Sequence, residues 1–232
     1  MAGTLFLVST PIGNLEDISF RAVRLLKEVD LIAAEDTRRT SILLRHYGIE
    51  TTLDSYHEHN KEKKARFLTK KLVQGQNIAL VSDAGTPGIS DPGYRLIQEV
   101  LNADVDIVPI PGATAAITAL SVSGLPTDRF VFEGFLPVKK GRKTRLELLS
   151  TETRTVILYE SPHRLIRTLN DILTFWGNRQ MTVCRELTKT FEEKSRGSVE
   201  EIIGLYSSRA IKGEFVLIIH GSEKRQHAKP IY

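Results

Sequence analysis

The sequence contains a single cysteine, Cys184, among 232 residues. One thiol can form neither an internal disulfide nor a cysteine zinc site, and this scarcity is typical of proteins in a reducing cytoplasm. No stretch approaches the ~18 to 20 apolar residues that a membrane span needs, and no basic segment precedes the short apolar run at the N-terminus. The composition therefore predicts a cytoplasmic globular protein with no membrane anchor.

Motifs of several common enzyme classes are also absent. The sequence has no G-x-x-x-x-G-K-S/T phosphate loop, no G-x-G-x-x-G dinucleotide fingerprint, no H-E-x-x-H and no G-x-S-x-G. Nucleotide hydrolysis, nicotinamide redox chemistry, zinc proteolysis and serine esterase activity are thus disfavoured. His57 and His59 stand two residues apart, but no cysteine or further histidine nearby completes a tetrahedral set, so no metal site is expected.

The charge balance permits a polyanionic partner without requiring one. Thirty-two Lys and Arg residues against 28 Asp and Glu residues give a net charge of +4. The basic residues concentrate in segment 139–145, in which five of seven residues are Lys or Arg. Such a run is commonly the solvated start of a helix, and contact with RNA is the alternative.

Strand and helix patterns alternate through the first half of the chain. Apolar strand candidates lie at 5–8, 31–34, 77–82 and 105–109, and helical patterns follow Ser19 and fill 61–74 and 94–102. This alternation predicts a parallel α/β sheet, whose ligands bind at the loops leaving the carboxyl ends of the strands. Three loops rich in Gly and Pro, at 10–14, 83–93 and 111–116, follow such strands, and we expect them to share one rim.

A second α/β pattern begins after residue 124. Strands are predicted at 130–135, 155–159, 182–186 and 214–220, and helices at about 162–176 and 199–207, with Pro162 in the first helical turn. Segment 191–197 is predicted as a strand antiparallel to its predecessor. The expected organisation is an N-terminal α/β domain over 1–124, a C-terminal α/β domain over 125–221 and a polar tail over 222–232.

Seven short motifs occur in order along the chain. They read TPIGNLED at 10–17, AEDTR at 34–38, SDAGTPGISDPG at 82–93, PGATA at 111–115, YESPHR at 159–164, CRELTK at 184–189 and KGEF at 212–215. Together they resemble the ribosomal RNA small subunit methyltransferase I family, over residues 3 to 221.

The resemblance implies a two-domain α/β fold of the tetrapyrrole methylase-like, class III methyltransferase type, with a mostly parallel N-terminal sheet and a mixed C-terminal sheet. It further implies a homodimer that binds S-adenosylmethionine in the cleft between the domains and methylates the ribose 2'-oxygen of one cytidine in the decoding region of 16S ribosomal RNA, in the 30S subunit. Family members often continue into a small helical extension, whereas this chain stops at Tyr232, so we expect the basic run to carry more of the RNA docking.

The family motifs also suggest individual site residues. The expected cofactor contacts from the first domain are Pro11, Ser82, Asp83, Ala84, Ile89, Ser90, Thr114 and Ala115, and those from the second are Phe132, Tyr159, Leu187 and Gly213. Pro11 is expected near the departing methyl group. The residues expected to hold RNA phosphates are Arg38, Arg39, Lys139, Lys140, Arg142 and Lys143.

Methyl transfer to a ribose hydroxyl is an in-line displacement, in which a general base can assist by accepting the hydroxyl proton. The candidates are His57, Asp36 and Glu160; an unperturbed histidine has a suitable pKa of about 6.5, but a carboxylate could equally position the hydroxyl. Two alternatives stay open. One is a small-molecule or tetrapyrrole methylase on the same fold, although the rim segments are basic and poor in aromatics. The other is a non-catalytic RNA-binding factor in ribosome assembly.

Overall fold

The computed structural model describes residues 1–223, so the expected tail at 222–232 lies outside the described residues from position 224 onward. The chain divides into two compact units, one of residues 1–114 and one beginning at Ala115. The sequence patterns placed the boundary near 124, but the helix Ala115–Ser121 contacts strands of the second unit and is grouped with it. Over the described residues, no helix combines the length and the apolar character needed to cross a membrane.

The first unit is a parallel sheet with helices on both faces. Its strands are β1 (Thr4–Val8), β2 (Leu31–Ala34), β3 (Leu53–Ser55), β4 (Ile78–Val81) and β5 (Asp106–Ile110). Its helices are α1 (Phe20–Glu28), α2 (Thr37–His46), α3 (Lys61–Val73) and α4 (Tyr94–Asn102), with a 3-10 turn at Leu15–Asp17. The strands pair in the order β3-β2-β4-β1-β5, all in parallel. The predicted parallel sheet is therefore confirmed, and the short edge strand β3 is an addition.

The connections of this sheet change direction between β1 and β4. Helices α1 and α2 pack on one face through residues such as Leu26 and Leu44, and α3 and α4 pack on the other through residues such as Leu68 and Leu96. Strands β1 and β4 are neighbours, but the chain leaves them towards opposite ends of the sheet and over opposite faces. In open α/β sheets, ligands bind outside the strand carboxyl ends at such a switch point.

The second unit is a mixed sheet covered by helices. Its elements are α5 (Ala115–Ser121), β6 (Phe130–Phe135), α6 (Arg142–Leu149), β7 (Thr155–Glu160), α7 (Leu165–Trp176), β8 (Gln180–Arg185), β9 (Glu193–Ser198), α8 (Val199–Ser207) and β10 (Phe215–Ile219). The strand order is β6-β7-β10-β8-β9, in which only β6 and β7 pair in parallel. Helices α6, α7 and α8 cover the core through Leu146, Leu169 and Ile202.

Two expectations for this unit have opposite outcomes. Strand β9 pairs antiparallel with β8, as the pattern at 191–197 predicted. The prediction that Pro162 occupies the first turn of a helix is wrong, because α7 begins at Leu165. Residues 161–164 instead form a separate turn, closed by a 3.1 Å hydrogen bond from the Arg164 backbone amide to the Ser161 carbonyl.

Candidate functional site

Three loops meet at the carboxyl edge of the first sheet. They are loop 1 (9–14) after β1, loop 2 (82–93) after β4 and loop 3 (111–114) after β5. Thr10 and Gly85 exchange two backbone hydrogen bonds, of 2.9 and 3.0 Å, and the Thr10 hydroxyl donates to the Ser82 carbonyl at 3.1 Å. Loops 1 and 2 are thereby fastened to each other, and the expectation that they share one rim is confirmed.

Loop 3 approaches loop 1 at a position that only glycine can occupy. A Cβ atom on Gly112 would lie 2.8 Å from the Cβ of Ser9, closer than real Cβ contacts come. The Ser9 hydroxyl also shares a 3.0 Å hydrogen bond with the hydroxyl of Thr86 in loop 2. Ser9 is therefore the point at which all three loops are joined.

Loop 2 is folded back on itself and carries local backbone strain. A Cβ atom on Gly93 would lie 2.8 Å from the backbone of Gly88, so two turns of the loop are in direct contact. Ser90, an expected cofactor residue, has a φ of 63°, a conformation that residues other than glycine seldom adopt. Strain of this kind is concentrated at ligand sites in proteins.

A cavity of about 140 Å³ lies among loop 1, loop 2 and α2. It brings together three of the expected cofactor residues, Pro11, Ser82 and Asp83, with Arg39, which was expected to contact RNA. Whole small-molecule ligands usually occupy roughly 300 to 1,000 Å³, so this cavity has room for one part of such a ligand. Its other lining residues are Thr10, Leu15, Thr40, Ile42 and Leu43.

Asp83 connects loop 2 to the start of α2. One of its carboxylate oxygens accepts a 2.9 Å hydrogen bond from the Asp36 backbone amide, and the other lies 3.3 Å from Nη1 of Arg39. Asp36 in turn caps α2 by accepting from the Arg38 amide at 2.9 Å, and it pairs with the Arg38 guanidinium at 2.7 Å.

These contacts bear on three of the expected site residues. The hydrogen bonds from Arg38 hold the pKa of Asp36 far below its usual range, so the carboxylate is a weak proton acceptor. The side chains of Arg38 and Arg39 are 89% and 65% exposed. Both arginines are therefore accessible to RNA, although each is paired with a carboxylate.

Two acids at this edge, Glu35 and Asp91, were not singled out from the sequence. Burial raises the pKa of Glu35, and the charge of Asp83 raises it further. Burial together with the charge of Glu35 raises the pKa of Asp91 to about 6. Within residues 1–223, the buried Oε2 atom of Glu35 has no hydrogen-bond partner. Their positions in the sequence could have identified them, because Glu35 directly follows β2 and Asp91 lies in loop 2.

His57 follows β3, the strand at one end of the sheet. Its backbone amide donates to Oδ1 of Asn60 at 2.8 Å, and its Nε2 lies 3.2 Å from the Asn60 amide nitrogen. The buried Nδ1 atom has no hydrogen-bond partner in the described part of the chain. His59 lies with its ring centroid 6.0 Å away, and no group of His, Cys, Asp or Glu in residues 1–223 is arranged to hold a metal ion.

The expected cofactor residues of the second unit form two groups. In the first, the ring of Tyr159 lies 5.0 Å from that of Phe132, and the Tyr159 hydroxyl accepts a 3.2 Å hydrogen bond from the Ala116 backbone amide. Because Ala116 follows Ala115 at the start of α5, these contacts place Ala115, Phe132 and Tyr159 in one neighbourhood.

The second group joins Leu187 to Gly213. The backbone amide of Glu186 donates to the Glu214 carbonyl at 3.0 Å, and the Glu214 amide donates to the Glu186 carboxylate at 2.9 Å. Glu186 and Thr188, on either side of Leu187, have φ values of 51° and 67°. For a β-branched residue such as Thr188 this conformation is strained, which marks the turn as a second candidate ligand contact.

Glu160, an expected catalytic residue, is buried, and both of its carboxylate oxygens accept hydrogen bonds. Its side chain is 1% exposed. One carboxylate oxygen accepts from Nε of Arg164 at 2.7 Å, and the other accepts from the Thr168 hydroxyl at 2.6 Å. A carboxylate held in this way has no access to a substrate hydroxyl, so the expectation of a catalytic role for Glu160 is not supported.

The basic run at 139–145 divides into inward and outward residues. Arg142, which was expected to contact RNA, is only 4% exposed. Its guanidinium donates to Asp171 and to the Thr168 hydroxyl, both at 2.8 Å, and to the Pro137 carbonyl at 3.2 Å. The assignment of Arg142 as an RNA contact is therefore wrong, because a buried guanidinium that donates to three internal acceptors is not available to bind phosphate. Lys139, Lys140 and Lys143 are exposed.

Comparisons with known proteins agree with this fold. Residues 4–203 match the family model for Tetrapyrrole (Corrin/Porphyrin) Methylases. A "Ribosomal RNA small subunit methyltransferase I" from Halalkalibacterium halodurans is 54% identical over 99% of this chain and 80% of its own length. One of the same name from Synechocystis is 55% identical over 95% of this chain and 80% of its own length.

A solved structure is similar over nearly the whole chain. Uroporphyrin-III C-methyl transferase from Thermus thermophilus, complexed with S-adenyl homocysteine, superposes with a TM-score of 0.67. The identity is 18%, and the match covers 94% of this chain and 97% of that one. At this identity the likeness shows the fold, which is the fold expected from the sequence motifs.

Because Arg142 is buried and Lys143 is exposed, replacing each with alanine should affect stability differently. Arg142→Ala should lower the free energy of unfolding by about 3 kcal/mol, because it leaves the Asp171 carboxylate and the Pro137 carbonyl without their donor. Lys143→Ala removes an exposed charge and should change stability by no more than about 0.5 kcal/mol. Urea unfolding measures both. Equal stability of the two variants would contradict the structural role of Arg142.

The raised pKa of Asp91 predicts that replacing this residue increases stability by an amount that depends on pH. With a folded pKa of about 6 against the ordinary 3.8, the chain binds a proton on folding between these values, so stability is lost as the pH rises through them. Asp91→Asn cannot ionise, and its gain in urea midpoint over the wild type should be larger at about pH 7.5 than at about pH 4.5. Asp106→Asn, at an exposed acid of the same unit, is the matched control. A gain that is independent of pH would contradict the shift.

Proposed function

This chain belongs to the tetrapyrrole methylase family and, within it, to the ribosomal RNA small subunit methyltransferase I group, and from this premise we propose that it methylates the ribose 2'-hydroxyl of a cytidine in the decoding region of 16S ribosomal RNA. Methyl transfer from S-adenosylmethionine to small-subunit ribosomal RNA is the activity of the group. The proposal adds the acceptor atom and the nucleotide. The observation that carries it is identity of 54% over 99% of the chain with a relative of that name.

We propose that each unit supplies contacts for S-adenosylmethionine. In the first unit, loops 1 and 2 present backbone groups and the Asp83 carboxylate around an open cavity, and Ser90 holds a strained conformation. In the second, the strained turn around Leu187 lies beside Gly213. The proposed contacts are Pro11, Ser82, Asp83, Ala84, Ile89, Ser90, Thr114, Ala115, Phe132, Tyr159, Leu187 and Gly213.

The bound cofactor supplies a methyl group on a positively charged sulfur, which makes the methyl carbon electrophilic. The chain must hold the ribose 2'-oxygen in line with the bond that breaks, between that carbon and sulfur, while the new carbon–oxygen bond forms. It must also receive the hydroxyl proton, and help of this kind is worth ~10²- to 10⁴-fold in rate.

We propose His57 as the proton acceptor. Within residues 1–223 its ring has one hydrogen-bond partner, the Asn60 amide nitrogen 3.2 Å from Nε2, so the lone pair of Nε2 is engaged by a single neutral group. The two other candidates are occupied, Asp36 by the helix cap and Arg38, and Glu160 by Arg164 and Thr168.

The remaining contacts with the substrate and between subunits are proposals as well. The exposed side chains of Lys139, Lys140, Lys143, Arg38 and Arg39 are proposed to hold RNA phosphates. Assembly into a homodimer in the cytoplasm follows from the family resemblance, and sedimentation equilibrium measures the assembly.

The test of this function is transfer of labelled methyl from S-adenosylmethionine to purified 30S subunits that lack their own decoding-region methylation. We expect one labelled nucleoside, 2'-O-methylcytidine, at one position of the 16S RNA. Label on a base atom or on another nucleotide would overturn the proposed acceptor. No transfer to subunits or to free 16S RNA, with cofactor binding still measured by calorimetry, would favour the non-catalytic assembly factor.

The role of His57 predicts a rate effect without a binding effect. His57→Ala should lower kcat by roughly 10² or more, because the hydroxyl proton loses its acceptor, while the Kd for the cofactor stays unchanged. His59→Ala, which removes an exposed imidazole two residues away, is the control and should retain wild-type kcat. Single-turnover transfer to 30S subunits measures both. Equal rates for the two variants would exclude His57 as the base.

A further inference from the structure

Helix α3 presents a row of exposed cations that the proposed function does not use. Its buried face, formed by Ala65, Leu68, Thr69 and Leu72, packs on the sheet and α4. The opposite face carries Lys63, Arg66, Phe67 and Lys70, all exposed, which we name the α3 stripe. The spacing of i, i+3, i+4 and i+7 places these four side chains along one side of the helix.

The three cations of the α3 stripe are uncompensated. Two other lysines of this helix have acidic partners: Lys61 pairs with Glu58 at 2.5 Å and Lys64 with Asp54 at 2.6 Å. Among residues 1–223, Lys63, Arg66 and Lys70 form no ion pair. The nearby acids Glu62 and Glu99 do not neutralise them, because both are held by Arg95 of α4.

This arrangement costs the isolated protein some stability. Like charges three and four residues apart on a helix repel each other, as Lys63 and Arg66 do and as Arg66 and Lys70 do. Lys63 also lies in the first turn, near the positive end of the helix dipole, and the N-cap residue Asn60 makes no side-chain capping bond that would offset it. A bound polyanion would relieve all of these repulsions together.

The dimensions and the central ring of the α3 stripe suit a nucleic acid. Lys70 follows Lys63 by seven positions, which is a rise of about 10 Å along the helix. A duplex carries a charge every ~1.7 Å of its axis, so the three cations can each meet a phosphate. Phe67 is 45% exposed, and the ammonium groups of Lys64 and Lys71 lie 5.3 Å from its ring centroid. Exposed aromatics among cations are surfaces on which unpaired bases stack.

We propose that the α3 stripe binds the phosphate backbone of the ribosomal RNA substrate. The inference rests on the proposed function for the identity of the polyanion. It adds a docking surface on the first unit to the lysines of segment 139–143 on the second.

The test compares two triple substitutions that remove the same charge from opposite faces of one sheet. The test variant is Lys63→Gln, Arg66→Gln and Lys70→Gln on α3, and the control is Arg21→Gln, Arg24→Gln and Lys27→Gln on α1. All six side chains are exposed, so both variants should fold, and the urea midpoint of the α3 variant should be no lower than that of the wild type because the substitutions remove repulsion between like charges. Binding of each protein to purified 30S subunits is measured over a series of salt concentrations.

The α3 variant should bind 30S subunits about tenfold more weakly at low salt, and the slope of log K against log salt should become shallower by about 2. Its KM for 30S subunits should rise while kcat and the Kd for S-adenosylhomocysteine stay at wild-type values. The α1 variant should match the wild type in all of these. Equal weakening by both variants would show an effect of net charge alone and would overturn the proposal.

Failure of the inference and failure of the proposed function give different results. If the wild type methylates 30S subunits and the α3 variant binds and methylates them equally well, only the docking surface is refuted. A change in sedimentation of the α3 variant without a change in 30S binding would also refute it, in favour of a contact between copies of this chain. If the wild type transfers no methyl group, the proposed function fails, and direct binding to 30S subunits still tests the α3 stripe.

Discussion

The two backbone hydrogen bonds between Thr10 and Gly85 are the constraint on which the candidate site depends. They join loops that lie far apart in sequence, and the Thr10 hydroxyl adds a third bond across the same junction. Without this junction, segments so rich in glycine and proline would sample many conformations. With it, the loops form one rigid rim at the switch point of the sheet, where backbone groups can approach a ligand closely.

The rim is coupled electrostatically to the start of α2. Asp83 accepts from the Asp36 amide and pairs with Arg39, so its charge is compensated locally. Glu35 and Asp91, half-buried at the same edge, have raised pKa values because burial desolvates both carboxyl groups and the charge of Asp83 opposes their ionisation. The start of α2 therefore stabilises the charged form of Asp83, whereas Glu35 and Asp91 remain costly to ionise.

The sequence predicted the fold class and the meeting of the loops, because both follow from local patterns. Alternating strands and helices determine a parallel sheet, and strand carboxyl ends share an edge. The direction in which a charged side chain points depends on tertiary packing. In segment 139–145, Lys143 faces solvent while Arg142 turns inward to Asp171, a residue of α7. The pairing that isolates the α3 stripe from nearby acids likewise involves α4, which sequence spacing alone does not reveal.

The position of β1 within its sheet affects how the chain reaches its native state during synthesis. Although β1 precedes the other strands of the first unit along the chain, it lies between β4 and β5 and pairs with residues 78–80 and 106–110. The N-terminal strand therefore stays unpaired until β4 has emerged and gains its second neighbour only with β5, and contacts of such sequence separation slow folding. The first unit is thus completed only after β5 has been made, with β1 inserted into the middle of the sheet.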